Sequence, residues 1–452
     1  MKENALKTFL EPRSVAVIGA SQTPGRGGYG VVENLLNWKF DGPVFPINPA
    51  AENILGLQCY HSIASVPEAV DLAVIVVQPH LVTDAVKECA QKGVKSVVVI
   101  SGGFGDSGDE GKRKERNIVD IAKQAGMRIV GPNTQGIFNP FKNLVTAYMP
   151  MSFENILRGD ISFVAQTGVF FTGFNLGLCK SIDLANMCDV DHAEALEYLG
   201  DDFETKVIVL HIEEIRDGTR FMDIAKRVTQ KKPVIAIKTG RSPEGAKAVA
   251  THTGSLAGSD ETYSAAFKHV GIIRAQHIDE LRDLGRTFAT LPLMKGKRIG
   301  IISYSGAAGI LAADACFDHG LNVANLSENS LKALRAITPL WAQLMNPVDI
   351  WPAVLTHGAQ KAYEIGIDTL FQDENVDGVL CNYITAERSA PLDITDIIKR
   401  TAKIYHKPLV LWTAGRGEDP IHIEGTVHYP SIWRAIKALS ALYERYTFLE
   451  ST

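Results

Sequence analysis

Short runs of valine and isoleucine alternate along this chain with amphipathic stretches. In its first third the apolar runs are SVAVIGA, VFPIN, DLAVIVVQP, VKSVVVISGG and MRIVGPN, and the stretches between them include LVTDAVKECAQKG and EGKRKERNIVDIAKQAG. Parallel strands are buried on both faces, whereas the helices that connect them are apolar on one face only. The pattern therefore predicts a doubly wound, Rossmann-like α/β domain.

Two further blocks repeat the order of strand, glycine turn and helix. The second has strand candidates DISFVAQ, TKVIVLHI and KPVIAIKTG, and helix candidates around GVFFTGFNLGL, DGTRFMDIAKRVTQ and SDETYSAAFKHV. The third opens at KGKRIGIISYSGAAGILAADACFDHG and ends in a helix near SIWRAIKALSALYERY. We predict an α/β fold with three Rossmann- or flavodoxin-like parallel-sheet domains in tandem, over residues 1–142, 143–293 and 294–452.

Composition narrows the class of protein. The net charge of -5 and the isoelectric point near 6.2 argue against a nucleic-acid or membrane-surface partner, because both require a basic face. Six scattered cysteines without a CxxC pair predict reduced, buried thiols and no zinc site. The N-terminus lacks a signal-peptide pattern, and no apolar run is long enough to span a membrane. A cytoplasmic location is the expectation.

The first glycine turn, VAVIGASQTPGRGGYGVVENLL, predicts a phosphate-bearing ligand. Its glycines allow close backbone approach, and the following helix directs its free N–H groups at an anion. An NAD site would also require G-x-G-x-x-G and an acidic residue after the second strand. That strand ends instead in Asn48 and Pro49, so an NAD-dependent dehydrogenase is disfavoured.

Three later turns extend the candidate site. ISGGFGDSG and GPNTQG each follow a strand, on the sheet edge where open α/β folds bind ligands, although each is also compatible with turn chemistry alone. In the second block, AQTGVFFTGF leads Gln166, Thr167 and Gly168 into a predicted helix. Its start is suited to an anion, and a simple N-cap by Thr167 is the alternative.

The most informative segment is KTGRSPEGAKAVATHTGSLAGSDETY, which we interpret as a long, glycine-punctuated loop with His252 at its centre. Histidine in a loop is commonly only solvated. Imidazole nevertheless accepts a phosphoryl group near neutral pH, and the neighbouring hydroxyls can donate to an anion. Such a histidine needs an acceptor for its other nitrogen. Glu213 and Glu214 are candidates on opposite faces of the preceding strand, so only one can face the site.

These motifs resemble a known family across essentially the whole chain. GASQTPG, FPINP, VVVISGGFGDSG and GPNTQG resemble the CoA-binding domain of ADP-forming acetyl-CoA synthetases and, more distantly, of succinyl-CoA synthetase. AQTG, IEEIRDGTRF and the segment around His252 resemble the ligase domain that follows it. KRIGIISYSGAAGILAADAC and NPVDIWPA resemble the flavodoxin-like domain of the α subunit.

The resemblance implies an acid–CoA ligase in which acyl-CoA and phosphate exchange to acyl phosphate and CoA. The phosphoryl group then passes to His252, which Glu213 orients, and on to ADP. It implies a phosphate site formed by Gln166, Thr167, Gly168, Thr253 and Gly254. It also implies a coenzyme A site formed by Gly19, Ser21, Gly25, Asn48, Pro49, Ser101, Gly102 and Asn133.

The chain departs from the family pattern at some positions. Ala50 stands where the family often has a lysine that contacts CoA, and Thr167 stands where it has serine. The segment VTAYMPMSFENILRGD is less typical, and we expect it to line the pocket for a small carboxylic acid whose identity stays open.

Nothing in the sequence resembles an ATP-grasp domain, and no P-loop is present. We therefore expect ATP or ADP and Mg²⁺ to bind an ATP-grasp-type β subunit that contacts the third domain, in an α2β2 assembly by family expectation. The alternative to catalysis is a CoA-binding regulatory or scaffold protein, which the intact segment with His252 and Glu213 disfavours.

Overall fold

The computed structural model describes residues 5–149, 151, 156–252, 259–383, 395–413 and 423–451. The chain forms two compact units, Met1–Leu281 and Arg282–Thr452. Three main sheets are present in the described residues, and parallel pairs dominate them, as the valine and isoleucine runs predict. Within the described residues no helix combines the length and the apolar character that a membrane span requires.

The first sheet of the first unit is parallel throughout, in the order β2-β1-β5-β6-β7. Its strands are apolar and buried at nearly every position, with Ser96 and the partly buried Arg128 as exceptions, as is usual where helices cover both faces of a parallel sheet. The strands are β1 (Val15–Ile18), β2 (Val44–Ile47), the small antiparallel pair β3 (Asn53–Ile54) and β4 (Leu57–Gln58), β5 (Leu72–Ile75), β6 (Ser96–Val99) and β7 (Arg128–Val130). The helices are α1 (Ala5–Leu10), α2 (Tyr29–Asn37), α3 (Val82–Lys92) and α4 (Gly108–Gln124).

The second sheet has the order β14-β13-β12-β10-β11-β8-β9, and β8 and β9 join it antiparallel. Its strands are β8 (Ile137–Asn139), β9 (Leu144–Val145), β10 (Arg158–Ala165), β11 (Leu178–Asp183), β12 (Val207–Ile212), β13 (Val234–Lys238) and β14 (Ile273–Ala275). The helices are α5 (His192–Asp201), α6 (Gly218–Lys231), α7 (Pro243–His252), α8 (Asp260–Val270) and α9 (Ile278–Thr290). The second sheet thus begins at Ile137, before the boundary predicted at residue 142.

Two expectations about local structure are wrong. The stretch GVFFTGFNLGL forms two short 3₁₀ turns, Gly168–Phe170 and Gly173–Asn175, because Phe174 and Asn175 have positive φ angles that an α-helix excludes. The first half of the segment around His252 is the helix α7 and not a loop. The Ser242 side chain accepts from the Gly245 amide at 3.0 Å, and Pro243 suits the first helical position.

The second unit contains one six-stranded sheet of parallel pairs, in the order β16-β15-β18-β19-β20, with β17 pairing β15. The strands are β15 (Arg298–Ser303), β16 (Asn322–Val323), β17 (Val348–Asp349), β18 (Gly378–Tyr383), β19 (Leu409–Thr413) and β20 (Val427–Tyr429). The helices are α10 (Gly306–Asp318), α11 (Glu328–Arg335), α12 (Trp351–His357), α13 (Ala359–Gln372), α14 (Thr395–Tyr405) and α15 (Ile432–Glu450).

Candidate functional site

The first glycine turn connects β1 to α2 at the carboxyl edge of the first sheet. Gly19 has a φ of 87°, and a Cβ atom there would lie 2.2 Å from the carbonyl oxygen of Val76. Only glycine fits this position, because it tolerates both the left-handed backbone and the close approach. Ser21 shapes the next part of the turn, since its hydroxyl accepts from the Thr23 amide at 3.0 Å.

Asn48 fastens this turn to the loop that follows β2. Its Nδ2 donates to the carbonyl of Ala20 at 2.7 Å, and its Oδ1 accepts from the amide of Ala50 at 2.9 Å. Pro49 and Ala50 are exposed beside it. Both ends of the Asn48 side chain are thus engaged by the protein backbone, so its part in the site is to hold the turn.

Ser101 and Asn133 connect the later turns of the same edge. The Ser101 hydroxyl donates to the carbonyl of Val77 at 2.6 Å, and the Asn133 amide donates to the Ser101 carbonyl at 3.1 Å. Gly102 lies beside Asn133, whose Oδ1 would stand 3.1 Å from a Cβ at Gly102. These contacts bring together the ends of β5, β6 and β7.

The glycine turn after β6 is less open to an anion than its sequence indicates. The Asp106 carboxylate accepts from the amides of Gly103 at 3.1 Å and Phe104 at 2.9 Å. Glu115 accepts from the Gly105 amide at 3.0 Å. These amides therefore already bind carboxylates of the chain and are not free to bind an anion from outside.

The predicted phosphate turn follows β10. Thr167 caps the 3₁₀ turn Gly168–Phe170 by accepting from the Val169 amide at 3.5 Å. Since this turn has only three residues, it lacks the long aligned dipole that an α-helix would supply. A Cβ at Gly168 would lie 2.4 Å from Cγ of Gln135, so the turn packs directly on the GPNTQG loop.

The Gln166 side chain holds the residues that follow β12. Its Oε1 accepts from the amide of Glu213 at 2.8 Å and from that of Glu214 at 3.1 Å. The Glu213 side chain is buried, whereas Glu214 is partly exposed and faces Arg216 at 3.7 Å. The two neighbouring carboxylates therefore differ in environment, although the same oxygen of Gln166 holds both backbone amides.

A cavity of about 480 Å³ joins the glycine turn of the first sheet to the phosphate turn of the second. Five predicted site residues line it: Gly25, Asn133, Gln166, Thr167 and Gly168. The other six residues predicted to bind coenzyme A do not line it: Gly19, Ser21, Asn48, Pro49, Ser101 and Gly102. Gln135 of the GPNTQG turn and Tyr148 of the segment expected to line the acid pocket also line the cavity, and Asp183 is a lining residue outside every predicted motif.

Asp183 is the buried carboxyl group of this cavity. It ends β11, it is 2 % exposed, and its Oδ2 accepts from the Gln135 amide at 2.7 Å. Burial raises the pKa of Asp183 to about 7, against the lowering effect of the Gln135 amide, and the nearby charge of Glu213 adds to the rise. The segment LCKSID contains Lys180, Ser181 and Asp183, so no apolar run in the sequence marks a strand end here.

His252 is the last residue of α7, and the structure describes its backbone but not its side chain. Thr253 and Gly254 lie outside the described residues. Their predicted contacts with phosphate therefore stay predictions.

One group in the described residues has the composition of a metal site, namely Cys179, Asp202 and Glu204. The buried ammonium of Lys180 already lies between its two carboxylates, 2.8 Å from Asp202 and 2.5 Å from Glu204. A cation of the chain itself thus neutralises this cluster, which we interpret as structural.

Two parts of the chain match known families of protein domains. Residues 13–140 match the CoA binding domain family, and residues 158–288 match the succinyl-CoA ligase like flavodoxin domain family. The first match contains all the turns of the first sheet, and the second contains both the phosphate turn and His252.

Similar proteins extend these matches over nearly the whole chain. The α subunit of acetate–CoA ligase [ADP-forming] II of Pyrococcus furiosus is 42% identical over 91% of this chain and 90% of its own length. The α subunit of ligase I of that organism is 38% identical over 97% of both chains. Among solved structures, the dinucleotide-forming acetyl-coenzyme A synthetase 1 of Candidatus Korarchaeum cryptofilum, in complex with phosphate and ADP, is 30% identical, with a TM-score of 0.88 over 99% of both chains.

Proposed function

We propose a phosphoryl-relay function for this chain, on the premise that it belongs to the family of ADP-forming acetate–CoA ligase α subunits. It is an acid–CoA ligase subunit of the ADP-forming type, and family membership supports catalysis over the regulatory alternative. The reaction interconverts acyl-CoA, ADP and phosphate with a carboxylate, CoA and ATP. The small carboxylic acid is acetate by analogy with the relatives' names.

The observation that carries the proposal is the cavity shared by the two sheets. Gly25 and Asn133 reach it from the turns of the CoA binding domain, and Thr167 and Gly168 reach it from the ligase domain. A thioester bound to the first set would meet a phosphate bound to the second. Proximity of this kind lowers the entropic part of the barrier to a reaction between two substrates.

In the first half-reaction, phosphate attacks the thioester carbon, the C–S bond breaks, and acyl phosphate and CoA form. His252 then accepts the phosphoryl group at an imidazole nitrogen and releases the carboxylate. We assign Glu213 to orient the imidazole, because Gln166 fixes its backbone beside the phosphate turn. Donors of the phosphate turn stabilise charge on the transferred group, together with Thr253 and Gly254.

The second half-reaction requires a nucleotide site. Two of the relatives are named as α subunits, which supports a partner subunit. We propose an ATP-grasp-type β subunit that carries ADP or ATP and Mg²⁺, in an α2β2 assembly in the cytoplasm. The second unit exposes large apolar side chains at Leu340 and Trp341, which are 92% and 74% exposed, as a subunit interface would.

Phosphorylation of the purified chain tests the relay. The chain is incubated with labelled acetyl phosphate, and we expect an acid-labile, base-stable label that His252→Ala abolishes. His269→Ala is the matched control, because His269 is an exposed histidine on the next helix, α8. A label that survives in His252→Ala would refute the assignment of the carrier. No label in the wild type across several acyl phosphates, with CoA still bound, would favour the regulatory alternative.

A further inference from the structure

Each turnover of the proposed reaction moves one proton at the sulfur of CoA. When the thiol attacks acyl phosphate, the S–C bond forms, the C–O bond to phosphate breaks, and the thiol proton must leave. In the opposite direction phosphate displaces the thiolate, which must gain a proton. A free thiol of the cysteine type has a pKa of about 8.5, so near neutral pH this transfer needs a base.

We propose that Asp183 is the general base that accepts the thiol proton of CoA, and the general acid that returns it in the opposite direction. The proposal rests on the proposed function, since it places the thiol in the cavity that the two turns share. Asp183 lines that cavity together with Gly25 and Gly27 of the first glycine turn and Thr167 of the phosphate turn. It is the one carboxylate among the described residues that line the cavity.

The hydrogen bonds of Asp183 leave one oxygen for a proton. Its Oδ2 accepts from the Gln135 amide, which fixes the carboxyl group at the end of β11. Its Oδ1 is buried and has no hydrogen bond of normal geometry among the described residues, although the Thr134 hydroxyl and the Ala185 amide lie near enough to the carboxyl group to lower its pKa. A buried polar atom without a hydrogen-bond partner is uncommon, and it lowers the stability of the fold. Its presence in the cavity lining is therefore explained best by a function at this position. A proton that arrives from a bound thiol would satisfy it.

The surroundings of Asp183 raise its pKa, which suits the carboxyl group to exchange a proton with a thiol. Burial is the main cause that raises the pKa of Asp183 to about 7, and the Glu213 carboxylate after β12 adds to it. Tyr148 is a further titratable group in the cavity lining, and Nδ1 of His211 on β12 accepts from the amide of the lining residue Gln166. A base with a pKa near the working pH exchanges a proton with a thiol efficiently.

Asp183→Asn separates proton transfer from the other steps. Asparagine keeps an oxygen acceptor for the Gln135 amide but cannot take the thiol proton. We expect the full-length variant to become phosphorylated by acetyl phosphate at the wild-type rate, because that step involves no thiol. We expect it to release CoA from acetyl-CoA and phosphate at pH 7 about a hundredfold or more slowly, which is the usual contribution of general acid–base catalysis.

The dependence on pH distinguishes a missing base from a distorted cavity. In the thiol attack on acetyl phosphate, the deficit of Asp183→Asn should shrink between pH 7 and pH 9, because CoA then ionises without help. Asp160→Asn is the matched control, since Asp160 lies in the same sheet and pairs with Lys206 outside the cavity. If Asp183→Asn does not fold, Asp183→Ser offers a smaller uncharged side chain for the same comparison.

Two results would overturn the proposal. One is a thiol step that Asp183→Asn leaves unchanged at pH 7. The other is an equal loss of the thiol step and of phosphorylation by acetyl phosphate at every pH, which would make Asp183 structural. Failure of the proposed function looks different, because then the wild type itself takes no label from acetyl phosphate.

Discussion

Replacing Gln166 with leucine tests how the chain fixes Glu213. The Oε1 atom of Gln166 is the acceptor for two consecutive amides, those of Glu213 and Glu214. Leucine has a similar size but no acceptor, so Gln166→Leu leaves both N–H groups without this partner while the side-chain volume is nearly kept. The change therefore isolates the hydrogen bonds from the packing.

The expected cost follows from the environment of each amide. The bond to the Glu213 amide is buried, and the bond to the Glu214 amide is partly buried. An unsatisfied buried N–H group costs about 1–3 kcal/mol, and the second amide regains part of its loss from water. We therefore expect the native conformation around residues 213–214 to lose about 2–5 kcal/mol relative to an open one.

Amide hydrogen exchange of the peptide that contains residues 213–214 measures this loss directly. A loss of about 2 kcal/mol corresponds to about thirtyfold faster exchange through local opening. Labelling of His252 by acetyl phosphate should fall in parallel, because Glu213 would no longer be held. The matched control is Gln58→Leu at an exposed position of β4, which should leave both measurements near the wild-type values.

Unchanged exchange at residues 213–214 in Gln166→Leu would refute the reasoning. It would mean that other contacts hold this segment and that Gln166 acts only at the cavity. Loss of labelling with unchanged exchange would point to direct contact between Gln166 and the phosphoryl group.

Two further predictions concern CoA binding and acid stability. Asn48→Ala removes the hydrogen bond to Ala20, for a net loss of about 1 kcal/mol. We therefore expect CoA to bind about fivefold more weakly when binding is measured by calorimetry, and Asn53→Ala is the control. Burial lowers the pKa of His192 from 6.5 to about 4, so the unfolded chain takes up the proton first as the pH falls. The free energy of unfolding should therefore decrease by about 3 kcal/mol as the pH falls from 6.5 to 4. In His192→Gln this decrease should be smaller. An equally steep decrease in the variant would show that His192 does not cause it.

The parallel strands and most crossover helices were predictable because they depend on local patterns. The runs that became β1 and β5 are apolar at every position, and those that became β6 and β12 contain one polar residue each, Ser96 and His211. Such nearly continuous apolar runs are the signal of a strand buried on both faces. The very short strands β8 and β9 were not predicted, because two or three residues carry no periodicity. β8 pairs with β11, which is distant in sequence, and β9 pairs with β8.

The helix α7 was predictable in principle. Ser242, Pro243 and Glu244 form a start signal, and alanines follow, but the neighbouring glycines favoured a loop in our interpretation. At the candidate site, the residue types in the glycine turns predicted that an anion binds there. They did not predict which side chains line the cavity. Asn48 and Ser101 turn inward to hold backbone groups, and that depends on hydrogen bonds between loops that are distant in sequence.

The antiparallel strand β8 has a consequence for how such a chain can be divided. It follows the last strand of the first sheet in the sequence, yet it pairs with the edge of β11 in the second. A gene fusion or exchange that replaced everything before residue 142 would remove this strand. It would leave the N–H and C=O groups of β11 open to another chain, as unprotected sheet edges are. The two modules are therefore inherited most safely as one piece, and the first compact unit of the structure does span both sheets.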